Sequence, residues 1–285
     1  MILVTGHTGF VGSALTSAMT DRGIRYRGLS RGTGYDLTRV GAMSELEPAS
    51  WVVHLAGKVE VPLSWENPEA FYRTNLESTL AVAEFARRTG SSVLLLSSYM
   101  YGIPDRLPVD ETHPVRPSNP YARSKALAED ILIGFARDFG VPVVILRVFN
   151  LFGPGQPTSQ LISHILSQAI ESDTIAVRDM SPKRDYLWVD DLVNVILKAV
   201  DETADGCQIY NVGSGESHSV GEIIDYVTSI VGPRKITCSD QVRPNEIPDC
   251  YSDSRKLSQR YGWQPAVSLK AGIETLIKTY STSIN

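Results

Sequence analysis

Residues 1–12 read MILVTGHTGFVG, an apolar β-rich run that passes directly into Gly6-x-x-Gly9-x-x-Gly12. A buried strand, three spaced glycines and an oncoming helix together make a cradle for a dinucleotide pyrophosphate. Backbone N–H groups reach phosphate oxygens only where no Cβ intervenes, and the positive end of the following helix stabilises the charge. Thr8, Phe10 and Val11 lie in the same turn. A glycine-rich corner with no ligand is the plainer alternative, and the strand before and amphipathic helix after favour the dinucleotide fingerprint.

Outward from this turn, β-rich apolar runs alternate with helix-length amphipathic segments through the first 150 residues. Strands are predicted at Ile2–Thr5, Arg25–Ser30, Trp51–Leu55, Val93–Ser97 and Val143–Val148. Val11–Asp21 carries Val11, Leu15, Ala18 and Met19 on one helical face, and Gly23 stops it. Asn67-Pro68 supplies a cap and a first-turn proline for a helix to about Thr89, and another runs from about Pro120 to Phe139. This alternation predicts an α/β fold of the Rossmann type: a doubly wound parallel sheet covered by helices on both sides. After Gly153-Pro154-Gly155 the pattern loosens, with helices expected at Gln160–Glu171 and Val220–Val231. The expected division is a dinucleotide-binding domain over 1–152, whose sheet about 187–212 rejoins through a helix at Asp191–Val200 and a strand at Gln208–Val212. A smaller C-terminal substrate-binding part takes 153–186 and 213–285.

The 285 residues suffice for a sizeable core, and 42% hydrophobic with 21% charged residues is ordinary for a globular chain. A net charge of −5 without any basic run argues against a nucleic-acid partner. No apolar stretch approaches the roughly 18 residues that would span a bilayer, so no membrane partner is expected. Met1 directly before the first strand leaves no room for a leader, and Cys207, Cys238 and Cys250 lack metal-type spacing. A cytoplasmic protein with reduced thiols and no metal is the expectation.

Tyr121-Ala-Arg-Ser-Lys125 is the most specific constellation. Residues four apart share a helix face, so both side chains address one bound molecule. An isolated phenol titrates near ~10, and a neighbouring ammonium is expected to lower it. Ser97, at the carboxyl end of a strand where α/β folds bind ligands, is placed to hydrogen-bond the reacting oxygen. A tyrosine and lysine on a merely amphipathic helix are the alternative. Among the histidines, His7 is read as space-filling, His54 as packed at a strand end and His113 as a surface residue. Asn75 is expected to tie a helix to a neighbouring strand.

Motifs along nearly the whole length carry a resemblance. They are Thr5–Gly12, His54-Leu55-Ala56-Gly57, Asn75, Ser97 with Tyr101-Gly102, Tyr121 with Lys125, Arg147–Asn150, Gly153–Gln156, Arg184-Asp185-Tyr186 with Val189-Asp190-Asp191, Tyr210–Gly213 and Arg243-Pro244. The chain resembles an extended short-chain dehydrogenase/reductase, of the NAD(P)-dependent epimerase/dehydratase family acting on nucleotide sugars, and within it the 4-ketoreductase-like members. That resemblance implies a catalytic trio of Ser97, Tyr121 and Lys125. Tyr121 exchanges a proton with a sugar oxygen, Lys125 holds the nicotinamide ribose and Ser97 orients the oxygen. It implies a cofactor site from Gly6, Thr8, Gly9, Phe10, Val11 and Gly12, joined by Ser30, Arg31, Asp36 and Leu37 and by Leu55, Ala56 and Gly57. Ser98, Tyr99, Asn150, Arg184 and Arg243 fall on the substrate side.

Where NAD-selective members carry an acid after the second strand, this chain has Ser30-Arg31. A guanidinium suits a 2′-phosphate, so NADP(H) is favoured over NAD. Asp36 either receives the adenine amino group or forms a turn. Arg184 and Arg243 are expected on the diphosphate of a nucleotide-diphosphate sugar, with a salt bridge from Arg184 to Asp185, Asp190 or Asp191 as the competitor. Ser98 and Tyr99 stand where dehydratases carry acids, which disfavours dehydration. The expected reaction is NADPH-dependent reduction of a nucleotide 4-keto-6-deoxyhexose at C4. The alternatives are a nucleotide-sugar 4-epimerase with tightly held NAD and a non-catalytic NADP-binding regulator. Homodimerisation through the two long helices is expected by the same resemblance.

Overall fold

The run after Met1 forms β1 (Ile2–Thr5), turns through the glycines into α1 (Phe10–Asp21) and returns as β2 (Tyr26–Leu29). Next come β3 (Trp51–His54), the short helix α2 (Val61–Glu66), α3 (Pro68–Thr89), β4 (Ser92–Ser98), α4 (Pro120–Phe139) and β5 (Val143–Val148). The later chain supplies β6 (Asn150–Phe152), α5 (Leu161–Glu171), β7 (Thr174–Val177), β8 (Lys183–Trp188), α6 (Val189–Val200) and β9 (Cys207–Val212). It ends with β10 (Ser217–Ser219), α7 (Val220–Val231), β11 (Lys235–Cys238), β12 (Asp249–Cys250), α8 (Arg255–Tyr261) and α9 (Leu269–Ser283). This is a computed structural model, which describes residues 1–240 and 246–283.

The central sheet has six strands in the order β2-β1-β3-β4-β5-β9. The pairs β1–β2, β1–β3, β3–β4 and β4–β5 are parallel. Every residue of β1, β3 and β5 is buried, as a sheet covered on both faces requires. The chain winds to one side of β1 for β2 and to the other for β3, which makes the fold doubly wound, as expected from the alternation. Thr5 pairs with both Leu29 and His54, and Ser97 lies opposite Arg147. The carboxyl ends of these strands therefore form one edge, the edge at which α/β folds bind ligands.

The two long helices begin where the sequence places them. Asn67 and Asn119 accept from the backbone N–H of Ala70 (3.1 Å) and Ala122 (2.8 Å), with a proline at the first helical position in each case. Such a cap is worth about 1 kcal/mol. Helices α3 and α4 pack on each other, with a core of Leu3, Val52, Val82, Val93, Leu132 and Ile145 beneath.

The chain divides into two compact units. One holds residues 1–102, 114–148 and 193–211. The other holds 103–113, 149–192 and 212–285, with Phe152, Ile165, Trp188, Ile223, Ile224 and Ile273 in its core. Residues 103–113 join this second unit although they fall inside the 1–152 span. The reason is local pairing: Val109 donates its N–H to the Tyr251 carbonyl (2.9 Å) and accepts from Asp253 (2.8 Å). His113 in this loop is not a surface residue. It is buried, with Nδ1 against Asp110 (3.1 Å) and Nε2 against the Arg106 carbonyl (3.0 Å). In the second unit, β8 is flanked by β6, β10 and β12. Among the described residues no helix is long and apolar enough to cross a membrane.

Candidate active site

The glycine turn is as tight as its spacing implies. Gly6 has φ +67°, and a Cβ there would lie 2.7 Å from the Ala56 nitrogen. A Cβ on Gly12 would strike the Gly6 carbonyl oxygen and approach His7 Cα within 2.6 Å. Helix α1 follows Gly9 at its N-cap, with no side-chain cap and no acidic residue in its first turn. Its first-turn N–H groups and dipole therefore face outward without an internal counter-charge. Thr5, the first residue of the Thr5–Gly12 motif, holds the neighbouring loop. Its Oγ1 accepts from the N–H of Leu55 (3.2 Å) and Ala56 (3.1 Å) and bonds His54 Nδ1 (2.8 Å). The His7 ring lies against Gly28 of β2, with Nδ1 buried and without a partner. Backbone open to close approach and an uncapped helix end suit a dinucleotide pyrophosphate.

After β2, Ser30 and Thr33 close a capping box around a single 3-10 turn that starts at Arg31. Arg31 is exposed, and its guanidinium makes no hydrogen bond among the described residues. Asp36 forms the turn: its Oδ1 accepts from the Thr38 hydroxyl (2.7 Å) and amide (3.2 Å). Those bonds, the hydroxyl first, hold its carboxyl below the usual carboxylate range. Leu37 is buried in the core.

Tyr121, Lys125 and Glu129 follow each other at one-turn spacing along α4. Lys125 is buried and donates from Nζ to the Leu96 carbonyl of β4 at 2.6 Å. Desolvation lowers its ammonium to about 8, with Glu129 acting the other way. The expectation that Lys125 makes the phenol more acidic is not met. Desolvation pushes Tyr121 up to about 12, and the relieving partner is the Ser98 hydroxyl, while Tyr99 adds to the rise. The physical reason is that burial disfavours the phenolate, while the ammonium is spent on a backbone carbonyl. Tyr121 is thus a neutral phenol through physiological pH. Ser97 is 4% exposed, and its Oγ is buried with no hydrogen-bond partner. A buried hydroxyl without a partner costs about 1–3 kcal/mol, so it marks a place built for something the chain does not itself supply.

Asn75 connects this helix to the loop after β3. It bonds the Lys58 amide (2.8 Å) and carbonyl (3.2 Å) and donates to Ser124 Oγ (2.8 Å), which bonds the Tyr121 carbonyl (2.7 Å). The expected tie is thus to a loop and a second helix. In the second unit, Asn150 donates to the Asp185 carbonyl (3.1 Å). Arg184 pairs with Glu246 and donates to the carbonyls of Ile247 (2.5 Å) and Lys183 (2.7 Å). None of Asp185, Asp190 and Asp191 is its partner, because each is engaged elsewhere. Asp185 accepts from Ser214 N and Oγ, Gly215 N and Ser252 N, Asp190 from the Trp188 indole, and Asp191 from the amides of Ala266 and Val267. Arg243 lies outside the described residues. Among the described residues no group of three or more His, Cys, Asp or Glu is arranged to hold a metal.

Comparison with known proteins agrees with this geometry. Residues 2–213 match the model of the NAD dependent epimerase/dehydratase family. A GDP-6-deoxy-D-mannose reductase of Pseudomonas aeruginosa is 27% identical over 99% of this chain and 98% of its own. A UDP-glucose 4-epimerase of Rhizobium meliloti is 27% identical over 96% and 95%. The solved structure of RMD from Pseudomonas aeruginosa complexed with NADPH superposes with a TM-score of 0.89 at 28% identity, covering 99% of both chains. With a family match across the glycine turn, the trio and all six strands of the main sheet, this chain belongs to the NAD dependent epimerase/dehydratase family.

Proposed function

We propose that the protein is an NADP(H)-dependent oxidoreductase that reduces a nucleotide-linked 4-keto-6-deoxyhexose at C4. One observation carries this reading. A neutral phenol and a buried ammonium stand one helical turn apart on α4, and a buried hydroxyl at the end of β4, that of Ser97, lacks an internal partner. The glycine turn and the α1 end would hold the pyrophosphate, with Leu55, Ala56 and Gly57 beside them. Arg31 would take the 2′-phosphate, and Lys125 the ribose next to the nicotinamide. When bound, the dinucleotide supplies the hydride. Tyr121 then gives its proton to the sugar oxygen, a role that suits a group protonated across the physiological range. The Ser97 hydroxyl orients that oxygen, and Lys125, charged near neutral pH, stabilises the phenolate left behind. Ser98 keeps Tyr121 in place. Asn150, Arg184 and Arg243 would meet the nucleotide diphosphate, and two guanidinium forks suit its oxygens. Exposed Leu80 on α3 and Leu127 on α4 support a homodimer through these helices.

The epimerase relative favours a second reading, 4-epimerisation of a nucleotide sugar with NAD retained. One experiment separates the two. Reduced-nicotinamide absorbance should fall stoichiometrically when a nucleotide 4-keto-6-deoxyhexose meets the enzyme and NADPH. Interconversion of two sugar nucleotides without net cofactor loss would overturn reduction in favour of epimerisation.

A further inference from the structure

Glu129 belongs to a buried polar network that the reaction above does not use. It is 2% exposed on α4, one turn beyond Lys125, which is 7% exposed. Arg147 of β5, 6% exposed and opposite Ser97 in the sheet, grips it with both ends of its fork. Nε lies 3.2 and 3.1 Å from the two carboxylate oxygens, and Nη2 2.7 Å from Oε2. The remaining Nη1 donates to the Tyr101 hydroxyl (3.1 Å), which donates to Asn211 Oδ1 of β9 (2.5 Å). Burying such a pair is expensive, and apolar residues of similar volume would generally hold the core as well or better. A network of this kind at the inner face of α4 calls for a use beyond stability.

We propose that Glu129, locked by Arg147, is a positioning residue whose fixed carboxylate, one turn along α4 from Lys125, sustains the ammonium that Lys125 donates to the Leu96 carbonyl of β4. The proposal rests on reading α4 as the catalytic helix. The groups that face Lys125 are the Leu96 carbonyl and His54 from the sheet, and Tyr121 and Glu129 from its own helix. His54 is a buried neutral imidazole and Tyr121 a neutral phenol, so Glu129 is the negative charge in this set. Burial alone drives Lys125 toward the neutral amine, and the carboxylate one turn away opposes that drift. Arg147 serves by fixing the carboxylate in place. Tyr101 and Asn211 fix Arg147 in turn, so the charge on Lys125 depends on residues from β5, β9 and the loop after β4.

The test reads Lys125 directly, on protein without added ligand. The 13Cε resonance of labelled Lys125, assigned by its loss in Lys125→Met, should titrate with a midpoint of about 8. Glu129→Gln should lower that midpoint by about 1 pH unit or more, since it also leaves the Arg147 cation unpaired nearby. If this variant does not fold, the double variant Glu129→Gln with Arg147→Met removes the unpaired charge and retains the volume. It should fold and still show a lowered midpoint, by less than the single change. A midpoint within about 0.3 unit of the parent in either folded variant would overturn the proposal and leave the network a structural one. The titration is independent of turnover. A protein that reduces no sugar nucleotide but shows the shifted midpoint contradicts the proposed reaction and leaves Glu129 as the source of the charge on Lys125.

Discussion

The carboxyl edge of the main sheet and the β8 region of the second unit are built on opposite plans. At the sheet edge, polar groups are left over: Ser97 Oγ and His7 Nδ1 are buried without partners, the end of α1 is uncapped and Arg31 projects unbonded. Around β8 most polar groups are spent, and Asp249 Oδ1 of β12 is the buried exception there among the described residues. Arg184 is held by Glu246, Ile247 and Lys183, and Asp185 accepts from the loops at Ser214, Gly215 and Ser252. Burial raises the Asp185 carboxyl above the usual carboxylate range against the pull of those donors, so its task is to knit loops together. A region with unspent donors is organised in advance for a ligand. A region that is saturated must exchange an internal partner before it can bind one, and its affinity is reduced by the strength of the bond it gives up.

Removing a single group at the sheet edge should therefore be felt directly. Tyr121→Phe takes away only the proton donor. Turnover should fall about 10²- to 10⁴-fold while dinucleotide affinity, read by fluorescence quenching, stays within a factor of about two. Parental turnover in this variant would end the proposed mechanism. Next in size, Arg31→Glu should weaken NADPH binding by about tenfold or more and leave NADH binding nearly unchanged. Equal losses for both would show that Arg31 is an ordinary surface side chain.

The saturated region should respond in the reverse sense. Glu246→Gln frees Arg184, so the KM for the nucleotide sugar should fall about three- to tenfold with kcat steady, as expected for a half-buried ion pair worth about 1 kcal/mol. A raised KM would mean that Glu246 holds Arg184 in its working position, and the contrast between the regions would fail.

The smallest effect lies beneath the sheet edge. His54 is bonded to Thr5 and Thr79, and desolvation, aided by the charge of Lys125, lowers its imidazole to about 3 from 6.5. The unfolded chain then takes up the proton first. The contribution is present above pH 6.5 and is lost as the pH falls below it, by up to about 1.4 kcal/mol per unit until the folded value is reached. Denaturation by urea at pH 7 and 5.5 should show about 1 kcal/mol of this loss. The variant His54→Gln should lack it, and an identical pH slope in both proteins would remove His54 from the account.

Much of the frame was legible from local pattern. Strands Ile2–Thr5 and Val143–Val148 and helices Pro68–Thr89, Pro120–Phe139 and Val220–Val231 end where their apolar periodicity, asparagine caps and stop glycines say they should. These signals are local, so one chain suffices to read them. The spacing of Gly6, Gly9 and Gly12 and of Tyr121 and Lys125 belongs to the same class. What the chain alone could not decide was which distant groups meet. Arg184 finds Glu246 rather than a neighbouring aspartate, the Thr5 hydroxyl braces the loop at Leu55-Ala56, and His113 turns inward. The protonation of Tyr121 likewise does not follow from its spacing to Lys125. Desolvation and the distance between two side chains are properties of packing, and the burial of α4 against the sheet sets both. Sequence by itself determined the fold, the glycine cradle and the helix face that carries the phenol and the ammonium. Tertiary structure alone decided their charge states, because the dielectric and the counter-charges around a side chain come from residues remote along the chain.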